Sequence, residues 1–269
     1  MVARFLADTA VEPRGAGRSS ARMDRGWWIQ RGPNGGYVAA VILRALTRAV
    51  DDPERTPRSL TVHYQAPPAE GAVEVVTEVA RTGRSLTSLG ARLEQDGTLV
   101  ATAQAAFARG RPSLEFCDLR PPEVPGPDHC PPEGVAPQAI DIPIRERYET
   151  RWALGDPPFS DSGTSTAGGW IRLREPAPID HALIVALTDA WIPPVFARTA
   201  GFVAVPTVDL TVHFRSPIPP LAEDAFLLTV FTSRVATDGF VEEDGEVWTA
   251  DGVLLAQSRQ LAMVVPVTG

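Results

Sequence analysis

Apolar residues in the first half of this chain form one helix-length run and then a series of strand-like alternations. The run is GGYVAAVILRALTRAV (35–50), and the alternation that follows it is typical of half-buried strands. The predicted strands of this half lie at residues 60–66, 73–79, 86–93 and 99–108. Turns are expected at 82–83 and 96–97, where the Asp96-Gly97 pair is a strong hairpin signal.

The second half has the same order of elements. A strand at 170–173 precedes a helix predicted at 182–196. Asp180 lies where the carboxylate of an N-cap residue would accept hydrogen bonds from the first backbone amides of that helix. Further strands are predicted at 208–215, 226–235, 240–249 and 253–265, with Asp251-Gly252 in the last hairpin turn.

Two segments occur twice, in the same order. LTVHY (60–64) returns as LTVHF (210–214), at an offset of 150. DGTLVATAQAAFA (96–108) corresponds to DGVLLAQSRQLAM (251–263), at an offset of 155. Two motifs at nearly one offset indicate a duplicated and fused unit.

Each copy therefore contains one helix followed by four long strands. This order predicts an α+β protein in which an antiparallel sheet wraps around a long apolar helix, which is the hotdog arrangement. Two copies in one chain predict a double hotdog. We expect an N-terminal hotdog at residues 1–110, a proline-rich linker at 111–144, and a C-terminal hotdog at 145–269 that carries the catalytic residues.

The linker has nine prolines between Pro112 and Pro143. Proline cannot donate a backbone hydrogen bond, so this segment is predicted to be neither a helix nor a central strand. Cys117, His129 and Cys130 lie within it. Three potential ligands at irregular spacing are a weak metal signal. We therefore expect a tether with inert thiols and no bound metal.

The composition excludes several classes of function. All 25 residues counted as Lys or Arg are arginine, which rules out Schiff-base chemistry and a lysine-dependent phosphate loop. The formal net charge is −8 without a basic stripe, so nucleic acid is not an expected partner. No apolar run is long enough to span a membrane. The N-terminus lacks the apolar core of a signal peptide and there are only two cysteines, so we expect a cytoplasmic protein.

Four stretches of the sequence are similar to those of a known family. They are NGGYVAAVILRAL, WIRLREPAPIDHALIVALTDAWIPP, PTVDLTVHFRSP and DGVLLAQSRQ. Together they resemble the acyl-CoA thioesterase II (TesB-like) family of double-hotdog proteins, over nearly the whole chain. The resemblance implies hydrolysis of acyl-CoA thioesters without a cofactor. It also implies a catalytic trio that holds and activates water, and Asp189, Thr207 and Gln260 match its three positions.

The chemistry of Asp189 agrees with this implication. An acid in the apolar run ALIVALTDAWIPPVF is costly to bury in its ionised form. A structural alternative is that Asp189 is exposed near the helix end or bonds Thr188. The duplication favours a single functional site, because the offsets pair Thr207 with Pro57 and Gln260 with Ala105. A residue set needed for folding alone would be expected in both copies.

The expected roles follow from the residue types. Asp189, with a pKa raised by its apolar surroundings, would act as a general base on water, or would attack directly to form a mixed anhydride. Thr207 and Gln260 would fix that water. Gly35 and Gly36 either present bare backbone amides to the substrate carbonyl at a helix N-terminus or simply allow close packing.

Two other functions remain open at the level of sequence. One is a hotdog enoyl-CoA hydratase or dehydratase, which needs a paired His and Asp. The other is an acyl-CoA binding module without catalysis. His63 and His213 occupy matching strand positions, which favours a structural role, and His181 is expected to be exposed. We also expect association into a homo-oligomer.

Overall fold

The computed structural model describes residues 2–132 and 142–266, and Pro266 by its backbone alone. Its helices are α1 (Arg4–Asp8), α2 (Gly35–Val50) and α3 (His181–Leu187). The strands are β1 (Glu12–Gly15), β2 (Arg18–Met23), β3 (Thr56–Tyr64), β4 (Gly71–Thr82), β5 (Leu86–Gln95), β6 (Thr98–Ala108), β7 (Tyr148–Leu154), β8 (Thr166–Leu173), β9 (Val203–Ala204), β10 (Thr207–Phe214), β11 (Leu227–Thr232), β12 (Ala236–Thr237), β13 (Phe240–Trp248), β14 (Leu254–Met263) and β15 (Val265–Pro266).

Thirteen of these strands form one antiparallel sheet. Its order is β1-β2-β4-β5-β6-β3-β10-β14-β13-β11-β8-β7, with β12 paired to β13, and β9 and β15 form a separate two-stranded ladder. The two copies of the repeat meet where β3 pairs with β10. At this seam Thr61 lies opposite Thr211, and their hydroxyl oxygens are 3.0 Å apart. The order of strands on one side of the seam mirrors the order on the other.

Helix α2 has the bounds that the apolar run predicts. Asn34 caps it, because its side-chain oxygen accepts a hydrogen bond from the Tyr37 amide at 3.0 Å. The helix packs on β3, β4, β5 and β6 and on α3, and nearly all of its apolar side chains are buried. Burial on every side explains why its sequence is apolar around most of its circumference.

Helix α3 is much shorter than predicted. It ends at Leu187, so the expected helix at 182–196 is wrong beyond its first two turns. The chain then passes through Asp189 to Pro193 and Pro194, and a 3₁₀ turn follows at Pro194–Arg198. Proline restricts the residue before it and cannot donate to the preceding turn, so an α-helix cannot run through this pair. The Asp180 cap is confirmed, with its carboxylate 2.9 Å from the Leu183 amide.

Several edge elements were not predicted from the sequence. These are α1, β1 and β2 at the start of the chain, and β7, which pairs with β8 at the far edge of the sheet. The hairpin predicted at Asp96-Gly97 is present, and both residues have the positive φ that its turn requires. Cys130 is buried beside Trp170, whereas Cys117 is exposed. No helix within the described residues is long and apolar enough to cross a membrane.

Candidate active site

Asp189 lies just beyond the last residue of α3, and its carboxylate faces the start of α2. Its Oδ2 accepts hydrogen bonds from the Gly36 amide and from the Asn34 side-chain amide, each at 2.9 Å. The same Asn34 nitrogen also donates to the backbone carbonyl of Asp189, at 2.5 Å. The N-terminal end of α2 therefore binds both the side chain and the main chain of Asp189, which lies just after α3.

Glycine is required at the start of α2 for this approach. A Cβ atom at Gly36 would lie 2.6 Å from the carbonyl oxygen of Ala186, and one at Gly35 would lie 3.0 Å from Oδ2 of Asp189. The expectation of bare amides is wrong for Gly36, because its N–H already donates to Asp189. The hydroxyl of Tyr64 donates to the Gly35 carbonyl at 2.7 Å and closes this end of the helix.

Thr207 and Gln260 meet on neighbouring strands. Thr207 is the first residue of β10, and its hydroxyl donates to Oε1 of Gln260 on β14 at 3.0 Å. The Gln260 side chain also lies close to the Asp189 carboxyl group, where it favours the ionised form and lowers the pKa. The structure thus brings together the three residues expected to form the trio, together with Gly35 and Gly36, although they come from distant parts of the sequence.

A second acid extends this group. Glu243 lies directly opposite Gln260 in the β13–β14 ladder, and its Oε1 accepts a hydrogen bond from the Gln260 Nε2 at 2.6 Å. Only 9% of Glu243 and 7% of Gln260 are exposed. At such low exposure buried polar groups need hydrogen-bond partners, and Glu243 and Gln260 supply one to each other.

Burial dominates the electrostatics of both acids. It raises the pKa of Asp189 to about 6, against hydrogen bonds from Gly36, Gln260, Gly35 and Asn34 that favour the charged form. Burial also raises the pKa of Glu243 to about 8, and the nearby Asp189 charge adds to that rise. At neutral pH, Asp189 is therefore mostly ionised and Glu243 is mostly protonated.

Two family models match the chain. The Acyl-CoA thioesterase N-terminal domain matches residues 24–108, and the Acyl-CoA thioesterase C-terminal domain matches residues 127–264. The second match alone covers half of the sequence and includes Asp189, Thr207, Glu243 and Gln260. This chain belongs to the acyl-CoA thioesterase II-like family.

Relatives and solved structures are similar to this chain over nearly its whole length. An uncharacterised protein of Mycobacterium tuberculosis is 26% identical over 304 residues, which cover 98% of this chain and 99% of the relative. A hot dog fold protein of unknown function from Alicyclobacillus acidocaldarius is 30% identical, with a TM-score of 0.88 over 100% of both chains. A candidate thioesterase II from Thermobifida fusca is 27% identical, with a TM-score of 0.83 over 98% of both chains.

Two residues of this thioesterase-family chain that lie at the candidate site, Asn34 and Glu243, were not predicted from the sequence. Asn34 is the only asparagine in the sequence and directly precedes the glycine pair, which was an available signal. Glu243 occupies an inward-facing position of β13, between the buried residues Val241 and Gly245. An acid at an apolar position of a strand alternation was the corresponding signal there.

The histidines lie elsewhere. His63 and His213 are exposed on β3 and β10, and His181, expected to be exposed, packs its ring against Phe214 at 5.3 Å. Within residues 2–132 and 142–266, no group of three His, Cys, Asp or Glu side chains is arranged to hold a metal ion. The groups that the structure brings together at the candidate site are carboxyl, amide and hydroxyl groups.

Proposed function

We propose that this chain hydrolyses acyl-CoA thioesters to the free acid and CoA, with Asp189, Thr207 and Gln260 as catalytic residues and no cofactor. One observation carries the proposal: Thr207 and Gln260, which are hydrogen-bonded to each other, come from distant segments to a buried carboxylate, that of Asp189. The membership of the chain in an acyl-CoA thioesterase family supports the same substrate class.

Asp189 acts as the general base in this mechanism. A base works best when its pKa is close to the operating pH, and burial raises the pKa of Asp189 to about 6. The bonds from Asn34 and Gly36 hold one carboxylate oxygen and fix the direction of the group. The Thr207 hydroxyl and the Gln260 amide position a water beside it, and Asp189 removes a proton as this water attacks the thioester carbonyl.

The attack places negative charge on the carbonyl oxygen. The N-terminal end of α2, at Gly35 and Gly36, carries partial positive charge that favours this developing oxyanion. When the tetrahedral intermediate collapses, the carbon–sulfur bond breaks and the proton held by Asp189 passes to the CoA sulfur. The free acid and the CoA thiol are then released.

A covalent route uses the same residues differently. The Asp189 carboxylate would attack the thioester directly, and water would then hydrolyse the mixed anhydride. A single turnover in ¹⁸O-labelled water separates the two routes. The general-base route leaves Asp189 unlabelled, whereas the anhydride route, with water attacking the aspartyl carbonyl, transfers label to its side chain, which peptide mass spectrometry detects.

The organisation around the site is also a proposal. We place the site in the C-terminal unit (145–269) of a double hotdog, joined to the N-terminal unit (1–110) by the linker (111–144). Helix α2 of the N-terminal unit would complete the site through Asn34, Gly35 and Gly36. Association into a homo-oligomer remains a prediction from the sequence.

The function is tested by incubating the purified protein with acyl-CoAs of graded chain length and a free-thiol reagent. Release of CoA at rates well above the uncatalysed reaction is the expected result. Hydration of an enoyl-CoA without thiol release would replace the proposal with a hydratase. Binding of acyl-CoA in calorimetry without any turnover would replace it with a binding module.

A further inference from the structure

Glu243 is a buried acid for which the proposed mechanism has no role. It lies on the inward face of β13, in a row with the buried residues Val241, Gly245 and Val247. A carboxyl group at such a position costs free energy unless it is hydrogen-bonded. Among the described residues it forms no ion pair, and its hydrogen bond is the one from Gln260 at 2.6 Å. Glu243 therefore has a single specific contact, and that contact is with the catalytic machinery.

This contact favours one of the two orientations of the Gln260 amide. An amide side chain presents an oxygen on one side and an N–H₂ group on the other, and a half-turn about its last bond exchanges them. Thr207 donates to the oxygen, and Glu243 accepts from the nitrogen. With both partners present, the N–H₂ group faces the two acids, Glu243 and Asp189. Without Glu243, the reversed amide would direct its oxygen at the Asp189 carboxylate.

We propose that Glu243 is a positioning residue, which holds the amide of Gln260 with its N–H₂ group toward Asp189 and its oxygen toward Thr207. This inference rests on the proposed function of the same site. Glu243 does not touch the reacting atoms. It acts through Gln260, and so it affects the rate of the reaction rather than the binding of acyl-CoA.

The charges around Glu243 favour its uncharged form. Asp189 faces it across Gln260, and Glu242 and Asp244 flank it on the same strand. Asp244 is neutralised by Arg259, at 2.6 Å, and Glu242 accepts from the backbone amide of Val235 at 3.0 Å. Burial and these negative neighbours keep Glu243 protonated at neutral pH. When Glu243 ionises, it adds a second negative charge beside Asp189, which opposes the charge that develops on the substrate oxygen.

The inference is tested with two variants, Glu243→Met and Glu243→Gln, and with Glu246→Gln as a matched control on the outer face of β13. Glu243→Met removes the acceptor while keeping most of the volume. We expect a loss in kcat of about 10- to 100-fold at pH 7 with KM nearly unchanged, the size of effect that misplaced catalytic groups produce. Glu243→Gln retains an acceptor and is expected to recover most of that loss. The control is expected to behave as the parent.

The pH profile gives a second readout that a merely structural role would not move. The parent is expected to lose activity as the pH rises past about 8, and Glu243→Gln is expected to remove this alkaline limb, because glutamine does not ionise. Melting curves and acyl-CoA binding are measured on every variant. Parental kcat in Glu243→Met, or an unchanged alkaline limb in Glu243→Gln, would overturn the inference while leaving the thioesterase proposal intact.

An infrared titration tests the inference without activity. The difference spectrum between the parent and Glu243→Gln is expected to show a protonated carboxyl band at pH 7 that disappears at higher pH. Absence of that band would overturn the account of Glu243 even if the protein hydrolyses acyl-CoA. Conversely, absence of hydrolysis in the parent with the band present would overturn the proposed function instead.

Discussion

Arg44 on α2 and Asp180, the N-cap residue of α3, form an ion pair with Nη1 and Oδ2 2.6 Å apart. This pair is the internal counterpart of the contact between Asn34 and Asp189. In both cases the N-cap residue of one helix meets a side chain that lies nine or ten residues beyond the N-cap of the other. At one of these two pseudo-equivalent contacts the side chain is the buried carboxylate of Asp189, and at the other it is the guanidinium of Arg44. A guanidinium stays charged and cannot accept a proton from water.

Replacing Arg44 by Met is expected to lower stability without lowering activity. The ion pair is partly exposed, at 26% for Arg44 and 31% for Asp180, so solvent screens it and its loss costs about 1 kcal/mol. Asp180 keeps its bond to the Leu183 amide and still caps α3. Thermal melting and thiol release measure the two effects. Arg48→Met, an exposed change on the same helix, serves as the control.

A fall in kcat for Arg44→Met that exceeds any fall for Arg48→Met would contradict this separation. It would mean that the counterpart place contributes to catalysis. The asymmetry inferred from the two copies of the repeat would then be wrong.

Asp189→Asn is expected to abolish essentially all turnover while acyl-CoA still binds. Asparagine keeps the shape and can still accept from Gly36, but it lacks the charge and the basic lone pair. Steady-state thiol release and binding stoichiometry by calorimetry are the measurements. Residual activity close to half of the parental value would show a second working site in the first half of the chain.

Gln260→Ala and Thr207→Ala are each expected to slow hydrolysis by about 10²–10³-fold, because each removes a group that positions the water. Thr207→Ser keeps the hydroxyl that donates to Gln260, and it is expected to retain most of the activity. Circular dichroism and melting curves check that the variants fold. If both alanine variants turn over at the parental rate, these residues are not catalytic.

The activity is expected to fall as the pH drops through about 6. The base must be ionised, and the pKa of Asp189 is about 6, so protonation removes the base below that pH. Asn34→Ser keeps an N-cap hydroxyl but removes the amide that donates to Asp189. Because that hydrogen bond favours the charged carboxylate, its loss raises the pKa of Asp189. The acid limb of kcat/KM should therefore move to higher pH.

A matched comparison sharpens the Asn34 experiment. Arg48→Met leaves the Asp189 contacts untouched and should keep the acid limb of the parent. An acid limb in Asn34→Ser at the parental pH would show that Asn34 does not tune Asp189. A shift toward lower pH would contradict the sign of the electrostatic argument.

Local patterns in the sequence determined helix α2, a hairpin turn and the division of the chain into two similar halves. The apolar run at 35–50 gave the bounds of α2, because a helix buried on most sides needs apolar residues around its whole circumference. The Asp-Gly pair at 96–97 gave a hairpin turn, because two successive residues with positive φ favour these residue types. The internal repeat indicated two similar halves, and the order of the strands mirrors itself about the β3–β10 seam.

The edge elements and the end of α3 could not be predicted from the hydrophobic pattern of the sequence alone. Strand β7 has no clean alternation, since most of its residues are only partly buried at the sheet edge. The helix predicted at 182–196 was too long, because the apolar run of the sequence continues past the point where the chain turns. The pair Pro193-Pro194 sets only an upper limit to the helix, which already ends at Leu187.

The candidate site was determined by tertiary structure. Sequence identified Asp189, Thr207 and Gln260 one by one, but their meeting depends on the register of β10 and β14 and on the docking of α2 against the end of α3. Glu243 meets Gln260 only because the β13–β14 ladder places them directly opposite each other. A shift of that ladder by one residue would turn Glu243 toward solvent, since side chains alternate between the two faces of a sheet. Contacts between distant segments arise from packing, which no local pattern encodes.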